Sequence, residues 1–112
     1  MGDIARATAI YSGGNIYLYY AELDNGNWLM GCDDWVIVVN TNPLRDMETF
    51  EASGFEDWQQ EHLVMYVQEA ERPRQLVKLI DVILQGNTIK EWDNFLCYDL
   101  EIRHRLLSEE IG

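Results

Sequence analysis

Positive charge is scarce in this chain. Eight lysines and arginines stand against 20 aspartates and glutamates, a formal net charge of −12 over 112 residues. That shortage argues against nucleic acid and anionic membrane as direct partners, because affinity for either polyanion comes from Lys and Arg. Cysteine is nearly absent. Cys32 and Cys97 lie far apart and neither belongs to a C-x-x-C pair. A disulfide framework and a dithiol redox motif are therefore not expected, and two free thiols in a reducing cytoplasm are. No run of 18 apolar residues occurs and no apolar secretory segment opens the chain, so the expectation is a cytoplasmic protein that enters no membrane.

Catalytic patterns are missing too. His62 and His104 are the two histidines. His62 follows Glu61 without forming H-E-x-x-H, and no EF-hand loop is present. Cys32-Asp33-Asp34 offers three donors, but adjacent residues seldom converge on one ion. Cys32, Cys97, Ser12, Ser53 and Ser108 have no activating base identifiable by spacing. Ser12-Gly13-Gly14-Asn15 lacks the lysine of a phosphate loop and joins two strands, so it reads as a hairpin turn. The expectation is a non-enzymatic protein with no cofactor and no metal.

What the chain does contain is a core. Hydrophobic residues make up 47%, with four tryptophans and six tyrosines. A disordered acidic tail would be poor in aromatics. One domain spanning 1–112 is expected, burying about two-thirds of its unfolded surface.

Residues 4–11 alternate mildly and read as a first strand. Residues 16–23 are aromatic and β-branched, a stronger strand, with Tyr17, Tyr19 and Ala21 on one face and Ile16, Leu18 and Tyr20 on the other. Asn25-Gly26 predicts a two-residue type I′ hairpin that sets Leu23 opposite Trp28 and Ala21 opposite Met30. Residues 27–32 form the third strand. Trp35–Val39 forms a fourth, buried on both sides. Connections this short permit an antiparallel meander and no crossover.

Pro43 ends the sheet, and residues 44–52 read as an irregular linker with one helical turn. Ser53-Gly54-Phe55-Glu56 fits a capping box that opens a helix, with Leu63, Tyr66, Val67 and Ala70 as its apolar stripe. Pro73 starts a second helix and Gly86 stops it. Thr88-Ile89-Lys90-Glu91 is another capping box. Residues 96–106 also alternate like a strand, but the cap and the lack of Gly or Pro favour helix, with Asp99 and Arg103 paired at i, i+4. The predicted fold is therefore α+β: a four-stranded antiparallel meander over about 4–39, then three helices over about 54–70, 73–85 and 89–108, packed on one face.

The charge is concentrated. Between Glu22 and Glu71 lie Glu22, Asp24, Asp33, Asp34, Asp46, Glu48, Glu51, Glu56, Asp57, Glu61, Glu69 and Glu71, with Arg45 as the lone Lys or Arg. The apolar residues among them look like ordinary core, so the acids must lie outside. Such a surface suits a partner that is itself basic. The expected function is a protein-binding inhibitor that docks the basic groove of a nucleic-acid-binding protein, its carboxylates standing where phosphates would. Small size, high negative charge and the lack of a catalytic motif resemble, in type alone, phage and mobile-element anti-defence proteins such as anti-CRISPRs and anti-restriction proteins. Asp33, Asp34, Asp46, Glu48, Glu51, Glu56, Asp57 and Glu61 are the candidate contacts. The alternative is a structural or small-ligand module that uses an aromatic sheet face (Tyr17, Tyr19, Tyr20) for a ligand or a homodimer, with acidity serving solubility.

Overall fold

The computed structural model describes residues 2–12, 15–46, 54–86, 89–90 and 94–111, with side chains described for these except 12, 15, 89–90 and 94–97. Six strands form one sheet: β1 (Ile4–Ser12), β2 (Asn15–Leu23), β3 (Trp28–Gly31), β4 (Val36–Val39), β5 (Leu63–Tyr66) and β6 (Ile89–Lys90). Their order is β5-β4-β3-β2-β1-β6. Every pairing is antiparallel except β1 with β6. Among the described residues three further elements are helices: α1 (Phe55–His62), α2 (Arg72–Gly86) and α3 (Asn94–Ile111). Residues 43–46 are also helical. The fold is α+β with an N-terminal four-stranded meander, as the alternation and turn chemistry predict.

The β2–β3 hairpin differs from the predicted one by a residue. Leu23 N–H donates to the Asn27 carbonyl at 2.9 Å and Gly26 N–H to the Leu23 carbonyl at 3.2 Å, closing a three-residue loop. Gly26 sits at φ 89°, and the Asn25 side chain accepts the Asn27 N–H at 3.0 Å. This is a turn followed by a left-handed glycine bulge, the next commonest solution after the two-residue loop. Trp28 therefore faces Glu22, Leu29 faces Ala21 and Met30 faces Tyr20. A shift of one residue exchanges faces, which puts Met30 on the side of Tyr20 instead of that of Ala21. A second irregularity lies in the β1–β2 pairing, where Ile10 opposes Leu18 and Tyr11 opposes Ile16. Tyr17 is the extra residue, and Ile16 crosses to the side of Tyr19.

Both faces of the sheet are covered, not one. On the first, Ala7, Ala9, Tyr19, Ala21, Leu23, Leu29, Val36 and Val38 meet Leu76, Leu79, Ile80 and Ile83 of α2 and Leu100 of α3. On the second, Leu18, Tyr20, Met30, Ile37 and Val39 meet Trp58 of α1, with Leu44, Phe55 and Leu63 packed around them. The meander's alternation produces this: Val36 and Val38 point one way, Ile37 and Val39 the other, and all four are buried. Two apolar faces need two covers.

The helix predicted over 54–70 ends at His62, and residues 63–66 pair with β4 instead. Leu63, Tyr66, Val67 and Ala70 satisfy a helical spacing, but the segment Leu-Val-Met-Tyr also suits a strand, and β4 presents an open edge. Ladder bonds to β4 outweigh a helical propensity that spans fractions of a kcal/mol per residue. Gly54 is the N-cap of α1, at φ 99°, and the predicted cap residue Ser53 lies outside the described residues. Likewise α3 begins at Asn94, after β6, not at residue 89. The Thr88–Glu91 capping box falls on residues outside those described, apart from Ile89 and Lys90 in β6. Residues 96–106 are helical, and Asp99 and Arg103 pair at 3.8 Å.

Candidate functional site

The acidic residues separate into those the fold uses and those it leaves in solvent. Asp33, in the β3–β4 connection, takes the Arg103 guanidinium from α3, and the same guanidinium reaches Asp99. The neighbouring Asp34 is exposed, and its main-chain carbonyl accepts Arg72 Nη1 at 2.8 Å. Asp46 is half-buried on the side of α1. Arg45 Nε, Thr41 Oγ1 and Trp58 Nε1 each approach its carboxylate at 3.4 Å. Glu48 and Glu51 lie outside the described residues.

Glu56, Asp57 and Glu61 are different. Helix α1 turns Trp58 inward, 4% exposed, with Phe55 and His62 alongside. The Phe55 ring lies 5.9 Å from Trp58 and 5.5 Å from Trp35, and His62 lies 5.2 Å from Trp58. At the far end Asn40 N–H donates to the His62 carbonyl at 3.0 Å, and Asn40 Oδ1 lies 3.0 Å from His62 Nδ1. A period of 3.6 residues then sends positions 56, 57, 60 and 61 outward. Three of those four are carboxylates, all exposed. Among the described residues Glu56 and Asp57 have no ion-pair partner, and Glu61 has His62 Nε2 at 3.9 Å. Glu56 and Asp57 suit the positive N-terminal pole of the helix, but Glu61 sits near the negative pole and one turn from Asp57. The Glu61 placement thus costs a few tenths of a kcal/mol twice over.

The candidate acids do not gather on one face. Asp33 is tied to the α2–α3 layer, while Asp46, Glu56, Asp57 and Glu61 belong to the α1 layer on the opposite side. The Asp33–Arg103 contact links positions 70 residues apart, and only the Asp99–Arg103 spacing hinted that Arg103 would be engaged. Burial pushes the Tyr19 phenol well above its usual pKa, although the Arg103 guanidinium beside it pulls the other way. Burial alone would lower Arg103, but Tyr19, Asp33 and Asp99 more than reverse this, so it stays charged. Arg103 is therefore a structural cation that half-neutralises the Asp33 end of the molecule.

Of the aromatic candidates, Tyr19 and Tyr20 are buried on opposite faces of the sheet, and Tyr17 is exposed at its bulge. Cys32 is a free thiol, half-buried under the α1 layer.

One feature was hidden by the helical reading of 54–70. β5 is the edge of the sheet, and Val64, Met65 and Tyr66 on it are largely exposed. A groove of roughly 230 Å³ runs beside it, lined by Glu56, Gln59, Gln60, Leu63 and Tyr66. Gln59 Nε2 donates to the Tyr66 hydroxyl at 2.6 Å across this groove. Among the described residues no three His, Cys, Asp or Glu side chains come together as a metal site, and no helix is long and apolar enough to cross a membrane. No protein-family model matches the chain, and searches of curated proteins and of solved structures find no match to it.

Proposed function

We propose that this chain is a small, non-enzymatic, cytoplasmic protein that docks a basic surface on a partner protein and blocks it. The observation that carries this reading is the outer face of α1. Glu56, Asp57 and Glu61 stand together there without a Lys or Arg partner among the described residues, whereas Asp33, Asp46, Asp81 and Asp99 are each engaged by another side chain. Unengaged like charges on a short helix cost stability and benefit an encounter with a cation-rich surface. Carboxylates about 6 Å apart on successive turns supply part of the field that duplex DNA presents with one charge per ~1.7 Å of axis. The specific form we favour is therefore a nucleic-acid mimic that occupies an Arg/Lys groove, of the kind used in anti-defence inhibition. Asp46 lies in the same layer, and it and Asp33 contribute less because Arg45 and Trp58 engage the one and Arg103 the other.

The test compares the native chain with an E56K/D57K/E61K variant as affinity baits at low and high salt. Circular dichroism first confirms that the variant is folded. A basic nucleic-acid-binding protein should be retained by the native chain at low salt, weakened by high salt, displaced by duplex DNA and lost from the variant. Equal retention by both chains, or none at either salt, would sink the proposal.

A further inference from the structure

We propose that β5 is a docking edge for an extended, lysine- or arginine-bearing segment of a partner protein, which joins the sheet as one more strand. This rests on the acidic docking surface proposed above and specifies the form its partner takes.

Edge strands normally carry protection, in the form of lysine, proline, an inward charge or a covering element. β5 reads Leu-Val-Met-Tyr, with Val67 after it, and contains none of the protective residues. Val64 is 50% exposed, Met65 41% and Tyr66 60%. At the opposite edge, the described residues of β6 are Ile89–Lys90.

Its backbone is turned to receive a strand. Val67 N–H donates to the Val36 carbonyl at 2.9 Å, and Tyr66 stands opposite Ile37. Hydrogen-bonded and non-bonded pairs alternate along an antiparallel ladder, so the N–H and C=O of Tyr66 point away from β4. Val64 is the extra residue between Val38↔Met65 and Val39↔Leu63 and is left out of the ladder. The bulge confines docking to the stretch around Met65–Val67, so a short strand is the expected occupant.

The groove beside the edge states what side chains that strand carries. Glu56, Gln59 and Gln60 line it with Leu63 and the Tyr66 ring, and Asp57 and Glu61 stand on the adjoining stripe of α1. An added strand presents alternate side chains toward this groove. There a lysine or arginine lays its aliphatic stem along Tyr66 and Leu63 and sets its charge near Glu56. A second copy of this chain is the less suitable occupant, because pairing β5 with itself brings two chains of net charge −12 together with no cation at the edge.

The experiment selects peptides from a phage-displayed random library on the intact chain. Selected peptides are then synthesised plain and with N-methylated backbones and titrated into the 15N-labelled protein. The expected peptides alternate β-branched residues with Lys or Arg and shift the amides of Val64, Tyr66 and Val67. N-methylation should weaken them about tenfold, as should Tyr66→Pro, which removes an outward donor and no ladder bond. Val64→Lys, a change that edges tolerate, guards against a folding defect in the proline variant and should weaken binding to a similar degree. Basic peptides that ignore both edge variants but are lost with E56K/D57K/E61K would overturn the docking edge and leave the acidic surface standing. Edge-bound peptides without Lys or Arg, indifferent to the triple variant, would remove the basic partner and with it the acidic reading. A two-fold dimer dissolved by Val64→Lys would assign the edge to a second copy and overturn the proposal.

Discussion

The two covers of the sheet are built on different principles. The α2–α3 cover is aliphatic and spread out, with Leu76, Leu79, Ile80, Ile83 and Leu100 each sharing the burial. Some of its surface charges are engaged, Arg103 with Asp33 and Asp99, and His104 with Asp81 at 2.7 Å. The α1 cover is an eight-residue helix held by one inward tryptophan and two flanking rings. Among the described residues Glu56 and Asp57 on its outer face have no ion-pair partner, and the strand that follows it ends the sheet. A cover that serves stability alone gains nothing by keeping carboxylates apart from cations or an apolar edge in water. Under the proposed function, the α2–α3 side is the scaffold and the α1 side is where the partner docks.

The sharpest way to break this comparison is Trp58→Ala. If a single ring carries the α1 cover, its loss should cost about 4 kcal/mol in urea unfolding and release the Asp46 carboxylate from the indole N–H. Leu79→Ala, on the distributed side, should cost about 3 kcal/mol. A Trp58 penalty below that of Leu79 would mean that the α1 cover is no more concentrated than the other. Gly31 tests the strand between them. A Cβ there would collide with the Trp35 carbonyl oxygen and the Val36 backbone, so Gly31→Ala should cost roughly 1–3 kcal/mol, read as a drop in Tm.

A pH titration probes the paired side. Tyr19 has a raised pKa in the folded state, burial being the main cause. It therefore contributes stability that is present in full below its unfolded pKa of 10.0, and that is lost as pH rises beyond it. Tm should fall above about pH 10, and Tyr19→Phe should flatten that fall. The smallest effect belongs to the α1 side. Glu61→Gln removes a charge from the unfavourable helix pole and from its Asp57 neighbour, and should raise stability by a few tenths of a kcal/mol. A clear loss instead would show that Glu61 is structural.

Much of the fold was legible in the residues. The aromatic and β-branched runs Ile16–Leu23 and Trp35–Val39 and the short turns between strands were enough for an antiparallel meander. Pro73, Gly86 and the stripe through Leu76, Leu79, Ile80 and Ile83 were enough for α2, because local geometry dictates each of these patterns. The acidic candidates were legible as a set, since charge is a property of composition. Their division was not. That Asp33 meets Arg103 and Asp46 meets Trp58 depends on chain segments distant in sequence. Residues 63–66 misled for a related reason. Their apolar spacing fitted a helix, and only the proximity of β4 turned them into a strand.

The amino-acid sequence by itself determined that this is an acidic α+β domain, because periodicity, turn residues and charge are read locally. Which face each helix covers, which carboxylates are held and which are left in solvent, and that β5 ends the sheet as an open edge were decided by the tertiary structure. Burial, ion pairing and ladder bonding are relations between residues far apart in the chain, and they exist once the sheet brings those residues together.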